Sequence, residues 1–201
     1  MSEPSTTKER ILDDAEELLL EKSLESVSLN EILKAVNTPK GCFYHHFASK
    51  EEFGVELIQH YVKETLASFS DILLNRELEP NARLRILSNY EMAIARFIAN
   101  EGKPVCLLMK LTSESGFSSP AMREQISRAY PQINRLLEGV VQEGIDNGQI
   151  DARQSAAETT EILSSLWTGA FRQAYFHRKS TLLRTVLGFT ADVVIPAKAA
   201  E

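Results

Sequence analysis

Side chains that can bind phosphate are concentrated in one short segment of the sequence, PKGCFYHHFASKEEF. The segment holds Lys40, Lys50 and the adjacent His45 and His46, and no acidic residue occurs between positions 32 and 50. The chain as a whole has a net charge of −6. A local positive cluster still acts on its surroundings, because salt screens charges beyond about 10 Å. The pattern therefore predicts a basic surface that binds a polyanion within an acidic protein.

Metal, disulfide and enzymatic chemistry are not indicated by the other candidate residues. His45 and His46 are adjacent, so on a helix they point about 100° apart and cannot share a metal. Cys42 and Cys106 are far apart and lack CxxC spacing, so we expect two free thiols. No nucleophile elbow, phosphate loop, HExxH or dinucleotide fingerprint occurs, and GVVQEG lacks the lysine of a phosphate loop. We predict no catalytic residue, no metal and no cofactor.

Apolar residues recur at helical spacing along most of the chain, which contains only 9 glycines and 7 prolines. This pattern predicts an all-α fold of about nine helices. Sequences of the capping-box type, such as Ser28-Leu-Asn-Glu31, mark several helix starts. The predicted helices are Thr6–Lys22, Ser28–Val36, Pro39–Phe47, Ser49–Leu74, Asn81–Asn100, Pro104–Ser113, Pro120–Asn147, Ala152–His177 and Thr181–Ile195.

The first three helices are short and closely spaced, as in a helix-turn-helix module. Phe43 and Phe47 lie four residues apart, so both can anchor the third helix in a small core. Gly41 has no side chain, so the third helix can approach another backbone closely, either that of DNA or that of the preceding helix. The residues left facing outward are Lys40, Tyr44, His45 and Lys50.

This segment resembles the DNA-binding domain of the TetR family of bacterial repressors. The shared pattern is K-G-x-F-Y-x-H-F-x-x-K-E, which runs here from Lys40 to Glu51. The resemblance is specific over Thr6–Val62 and extends in architecture over the rest of the chain. It implies a helix-turn-helix domain at 6–62 and a larger helical ligand-sensing and dimerisation domain at 63–196.

The resemblance also implies which residues contact DNA. Tyr44, His46 and Lys50 would bind phosphates, whereas Lys40, Cys42 and His45 would lie nearest the base edges. Cys42 departs from the family, because small hydroxyl residues are commoner at that position. The full predicted DNA-binding set is Ser28, Thr38, Lys40, Gly41, Cys42, Tyr44, His45, His46 and Lys50.

The last two predicted helices carry a dense apolar stripe, which favours a homodimer built as a four-helix bundle. Such a dimer presents two reading helices about 34 Å apart to a palindromic operator. No apolar run is long enough to cross a bilayer and no secretory signal is apparent, so we expect a cytoplasmic protein without membrane contact. An alternative from another class is a helical module that docks onto protein.

Cys106 is the predicted sensing residue. It would lie in the first turn of a helix that starts at Pro104, where the helix dipole and Lys110 would favour the reactive thiolate. The stretch CLLMKLTSE also resembles the TetR branch that includes the N-ethylmaleimide-responsive repressor, which implies release from DNA by an electrophile or oxidant. Two alternatives remain open: Cys106 is a buried small hydrophobe, or the inducer is reversible. We expect three aromatic residues of the penultimate helix either to line a ligand cavity or to pack in the core: Trp167, Phe171 and Tyr175.

Overall fold

The computed structural model describes residues 6–103, 106–114 and 119–198. Over these residues the chain is helical, with no β-strand, and the predicted all-α fold is confirmed. The helices are α1 Thr7–Glu21, α2 Leu29–Ala35, α3 Lys40–His46, α4 Lys50–Leu73, α5 Ala82–Ala99, α6 Leu107–Glu114, α7 Pro120–Asp146, α8 Ala156–His177 and α9 Thr181–Phe189, followed by a π-helical turn Thr190–Val194.

Side-chain caps fix several helix starts. At Thr6, Ser28 and Ser155 the hydroxyl oxygen accepts from the backbone N–H three residues later, and the glutamate there accepts from the capping residue's own N–H. The box at Ser155 explains why α8 begins at Ala156, four residues after the predicted start at Ala152. Each reciprocal cap satisfies two backbone donors that would otherwise lack a partner.

The start of α3 differs slightly from the prediction. Pro39 occupies the capping position instead of the first helical position, and Thr38 does not cap the helix. The hydroxyl of Thr38 is buried and donates to the carbonyl oxygen of Val36 at 2.9 Å. Because that hydrogen bond occupies the side chain, α3 begins at Lys40 without a side-chain cap.

The described residues form two compact units. One contains 6–64, 106–114 and 119–129, and the other contains 65–103 and 130–198. Residues 106–114 and 119–129 thus belong to the same unit as the first three helices, although the sequence prediction placed them in the larger domain. This assignment matters for function, because Cys106 belongs to the same unit as α1, α2 and α3.

The second unit is built around α5, α8 and α9. Trp167 on α8 stacks on Tyr90 of α5 with ring centroids 3.9 Å apart, and its indole N–H donates to the hydroxyl of Thr190 at 3.1 Å. A buried aromatic pair with its polar atom satisfied holds these elements in one arrangement. Apolar side chains that remain exposed on α8, α9 and the π-helical turn are Ile162, Tyr175, Phe176, Leu182, Phe189 and Val193.

Among the described helices, none is both long and apolar enough to span a bilayer.

Candidate nucleic-acid interface and thiol site

The turn between α2 and α3 sets the direction of the reading helix. Asn37 adopts a left-handed backbone conformation with φ of 43°. The N–H of Thr38 donates back to the carbonyl oxygen of Leu33 at 3.0 Å, which closes the end of α2. Asparagine tolerates this conformation better than most residues. The chain therefore turns over the four residues 36–39, and α3 starts directly after them.

Three phenylalanines anchor α3 from below. Phe43, Phe47 and Phe53 are all fully buried, and their ring centroids are 5.0 to 5.4 Å apart. The anchoring role predicted for Phe43 and Phe47 matches this arrangement. Phe53 was not predicted, because it lies on α4 and only the fold brings it to the other two rings. The cluster fixes the rotation of α3 and thus decides which of its side chains face outward.

The outward face of α3 carries Lys40, Gly41, Tyr44 and His45, all exposed. The ammonium group of Lys40 lies 5.9 Å from the centre of the Tyr44 ring, within the range of a cation–π contact. No other atom lies within 4 Å of the position that a Cβ on Gly41 would occupy. Close approach to the preceding helix therefore does not explain this glycine.

Cys42 and His46 flank this face and are partly exposed. The rings of His45 and His46 are 5.1 Å apart between centroids. Among the described residues no group of three or more histidine, cysteine or acidic side chains is arranged to hold a metal ion. The polar side chains of Lys40, Tyr44 and His45 lie on the exposed surface of α3.

The side chains of three residues in the predicted DNA-binding set form hydrogen bonds with other groups of the same chain. Thr38 is buried and bonded to a backbone carbonyl, as described above. The hydroxyl of Ser28 is exposed but shares the capping box with Glu31. The ammonium group of Lys50 donates to the carbonyl oxygens of Glu25 at 3.2 Å and Val27 at 2.5 Å. Lys50 therefore closes the α1–α2 loop in the free protein.

Glu31 joins the ends of α1 and α2. Lys22 is the residue at which α1 ends, and its ammonium group lies 2.6 Å from the Glu31 carboxylate. Hydrogen bonds from Lys22 and from Ser28 lower the pKa of Glu31 to about 2. The carboxylate is therefore ionised at any physiological pH, and the link between the two helix ends persists.

Cys106 lies immediately before α6, at its capping position and not within its first turn as predicted. Burial raises the pKa of Cys106 above its ordinary value, despite hydrogen bonds to the sulfur from the backbone of Met109, the side chain of Tyr61 and the backbone of Leu108. The nearby charge of Glu16 also raises it. The prediction that the thiolate is favoured at this position is therefore wrong in its net direction, because desolvation outweighs the hydrogen bonds from the helix amides.

Lys110 interacts with α1 in the folded chain. Its ammonium group donates to the carbonyl oxygen of Leu19 on α1 at 2.9 Å. The charged residue that affects the pKa of Cys106 is Glu16, whose sign is opposite to the predicted one. The pKa of Glu16 is itself raised, mainly by burial and further by Asp13.

The three aromatic candidates of α8 do not share one environment. Trp167 is 3% exposed in the stack with Tyr90, and Phe171 packs 5.8 Å from it between ring centroids. Tyr175 is 48% exposed. Of the two alternatives left open by the sequence, core packing describes Trp167.

Comparison with protein families gives two matches that follow this division of the chain. Residues 11–57 match the family described as bacterial regulatory proteins of the tetR family, and residues 80–188 match the tetracyclin repressor-like C-terminal domain. The second match alone covers more than half of the chain.

The chain belongs to the TetR family.

Relatives of this TetR-family chain are transcriptional regulators. The HTH-type transcriptional repressor NemR of Escherichia coli (strain K12) is 29% identical over 188 residues, which is 94% of each chain. The transcriptional regulator AcuR of Cereibacter sphaeroides is 31% identical over 159 residues, covering 79% of this chain and 71% of AcuR. The similarity to NemR confirms the resemblance predicted from the sequence, and the protein is a transcriptional regulator and not an enzyme.

Solved structures give the same result. The structure of E. coli NemR in its reduced form aligns with a TM-score of 0.90 at 29% identity, covering 96% of this chain and 99% of that chain. Regulatory protein TetR from Rhodobacter sphaeroides aligns with a TM-score of 0.81 at 26% identity, covering 90% of this chain and 95% of that chain. The helix-turn-helix and the helical C-terminal region are thus those of the TetR fold.

Proposed function

We propose that this protein is a homodimeric transcriptional repressor that binds a palindromic operator through α3 and leaves it when an electrophile modifies Cys106. The outward face of α3, with its lysine, tyrosine and histidine side chains above a rigid phenylalanine cluster, is the observation that carries the DNA-binding part. These side chains are donors for phosphate and base-edge acceptors. Membership of the TetR family supports the same reading.

The DNA contacts divide into two groups. Tyr44 and His46 bind phosphates, and Lys40, Cys42 and His45 lie against base edges in the major groove. Lys50, the first residue of α4, adds positive charge beside the α1–α2 loop, whereas Thr38 and Ser28 support α3 and α2 without contacting DNA themselves. This assignment narrows the set predicted from the sequence, because it keeps as direct contacts only side chains that reach the surface.

A dimer would present two copies of α3 to the two halves of a palindromic operator, and exposed apolar side chains on and after α8 provide a surface for its formation. Ile162 and Phe176 on α8, and Leu182, Phe189 and Val193 beyond it, are apolar and 39% to 78% exposed. Gly169 lies between Ile162 and Phe176 on α8, and a Cβ there would meet no other atom within 4 Å. Burial of these side chains against a second copy removes apolar surface from water and leaves room for close helix contact at Gly169.

Operator binding is tested by titrating duplexes from the protein's own promoter region and from unrelated DNA at several salt concentrations. We expect preference for one promoter duplex and a steep linear fall of log affinity with log salt concentration. Equal affinity for both duplexes at moderate salt would refute sequence-specific regulation.

The sensing chemistry follows from the environment of the thiol. The residue Cys106 keeps part of its surface exposed, and the proposal requires a small electrophile to reach the sulfur from that side. Loss of the thiol proton to water gives a thiolate that accepts hydrogen bonds from Tyr61 and from the amides that start α6. The thiolate then adds to one carbon of the electrophile's conjugated C=C bond, as in N-ethylmaleimide. As the carbon–sulfur bond forms, the π bond breaks, its electron pair gives an enolate, and the proton lost to water returns to that enolate. Because burial and Glu16 raise the pKa of Cys106, its thiolate fraction at neutral pH is smaller than that of an unperturbed cysteine, and its alkylation is correspondingly slower.

Alkylation of Cys42 is an alternative cause of release from DNA, and the experiment must distinguish it from alkylation of Cys106. It lies on α3 and is also partly exposed, so its alkylation would block DNA binding directly. We expect Cys106→Ser to bind operator DNA normally and to remain bound after N-ethylmaleimide treatment. We expect Cys42→Ser to be released like the wild type. Release of the Cys106→Ser protein would show that sensing lies elsewhere, and retention of the Cys42→Ser protein would assign it to α3.

A further inference from the structure

The C-terminal end of α1 is stabilised by a side chain from α6. The last turn of α1 contains no basic residue, so nothing within this turn offsets the partial negative charge of the helix end. The ammonium group of Lys110 donates to the carbonyl oxygen of Leu19 in that turn at 2.9 Å, in a partly buried position. A cation from another part of the chain thus fills a role that is usually filled locally.

The same short helix carries the proposed sensing thiol. Cys106 caps the start of α6, and its carbonyl oxygen accepts from the N–H of Lys110 at 3.3 Å. The two residues are therefore one helical turn apart. Leu107, Leu108 and Leu111 are almost fully buried, which fixes α6 against its surroundings. A displacement at the first turn of such a short helix must move Lys110 as well.

The end of α1 leads directly to the reading module. Lys22, the residue that ends α1, pairs with Glu31 at 2.6 Å, and Glu31 caps the start of α2 through Ser28. Every group from the thiol to this cap lies within the first compact unit.

We propose that Lys110 is a positioning residue that couples Cys106 to the DNA-reading helices through the C-terminal end of α1. The proposal rests on the proposed function of Cys106 as a sensor. An adduct on the sulfur breaks its hydrogen bonds to the amides of Leu108 and Met109 and enlarges a side chain in dense surroundings. The first turn of α6 shifts, the bond from Lys110 to Leu19 breaks, and α1 moves relative to α2. The reading helix then no longer fits the operator.

The test compares Lys110→Met, which keeps the apolar stem and removes the donor, with Lys110→Arg, which keeps charge and donor. Operator affinity is measured by fluorescence anisotropy before and after N-ethylmaleimide, and the rate of Cys106 alkylation is followed by intact mass. We expect untreated Lys110→Met to bind the operator about tenfold more weakly than the wild type, the loss expected for one charge-assisted hydrogen bond. We expect treatment to weaken it little further, alkylation to proceed at the wild-type rate, and Lys110→Arg to resemble the wild type.

Two results would overturn the proposal. In the first, Lys110→Met binds the operator with wild-type affinity and is fully released by N-ethylmaleimide. In the second, Lys110→Met has reduced thermal stability, but the ratio of its operator affinities with and without treatment equals that of the wild type. The second result would mean that Lys110 only caps α1 and does not couple the thiol to DNA binding. If Lys110→Met does not fold by circular dichroism, Lys110→Gln replaces it, since the amide keeps a donor without the charge. Failure of the sensor proposal is recognised separately, because the Cys106→Ser protein would then be released by N-ethylmaleimide whatever residue occupies position 110.

Discussion

Lys50 has two roles whose energies can be separated by replacing it with methionine. Its ammonium group closes the α1–α2 loop through the carbonyl oxygens of Glu25 and Val27, and we propose that its charge also attracts operator phosphates. Methionine keeps the length of the aliphatic stem, so the change removes the charge and the donors and little packing. The first role predicts a loss of stability, and the second predicts a change in salt dependence.

The loss of stability follows from the two hydrogen bonds. A hydrogen bond from a charged group contributes up to about 3 kcal/mol, and the partial exposure of Lys50 reduces this to about 1 kcal/mol for each bond. The total of about 2 kcal/mol corresponds to a fall of roughly 4–8 °C in the thermal midpoint for a chain of this size. Differential scanning calorimetry of the free protein measures this change without DNA.

The salt dependence follows from counterion release. Each phosphate charge that the protein neutralises contributes about 0.9 to the slope of log affinity against log salt. A dimer carries two copies of Lys50, so Lys50→Met reduces the slope by about 1.8. Between 50 mM and 200 mM salt, the ratio of wild-type to variant affinity then shrinks by about tenfold. Anisotropy titrations of one operator duplex at four salt concentrations resolve a change of this size.

Lys63→Met is the matched control. Lys63 lies on the same helix, its side chain is 70% exposed, and its ammonium group is 3.7 Å from the Glu9 carboxylate. We expect this variant to keep the wild-type midpoint within a few degrees and the wild-type slope. If Lys50→Met lowers the thermal midpoint as calculated but leaves the slope unchanged, Lys50 is only a structural clamp and does not belong to the phosphate-binding set.

Two further predictions concern the dimer and the thiol. Leu182→Glu should raise the dimer dissociation constant by at least about 100-fold in sedimentation experiments, because two apolar side chains per dimer are replaced by charges at the proposed interface. The control is Leu84→Glu on α5, where the leucine is equally exposed, and this variant should remain dimeric. A dimeric Leu182→Glu protein would place the interface elsewhere. Glu16→Gln should lower the pKa of Cys106 and speed its alkylation at pH 7, because the substitution removes a carboxylate whose negative charge disfavours the thiolate in the wild-type protein. A pH profile of the alkylation rate that does not move toward lower pH would exclude Glu16 as a cause of the raised pKa.

Local features of the molecule could be predicted from the sequence because they depend on neighbouring residues. The capping boxes at Ser28 and Ser155 connect residues three positions apart, and the pair Phe43 and Phe47 follows helical spacing. The all-α fold and the TetR pattern on α3 are consequences of the same local rules. Resemblance to a known family then supplied the role of this helix, which periodicity alone does not provide.

Contacts between distant parts of the chain were decided only by the tertiary structure. Spacing of four residues placed Lys110 beside Cys106, but the folded chain directs its ammonium group to Leu19 and brings Glu16 near the thiol instead. The sequence predicts that Lys50 faces outward toward phosphates. In the fold, its ammonium group donates to the carbonyl oxygens of Glu25 and Val27 in the α1–α2 loop. The physical reason is that desolvation and electrostatic interaction depend on distance in space, and helix periodicity fixes that distance only within a few turns.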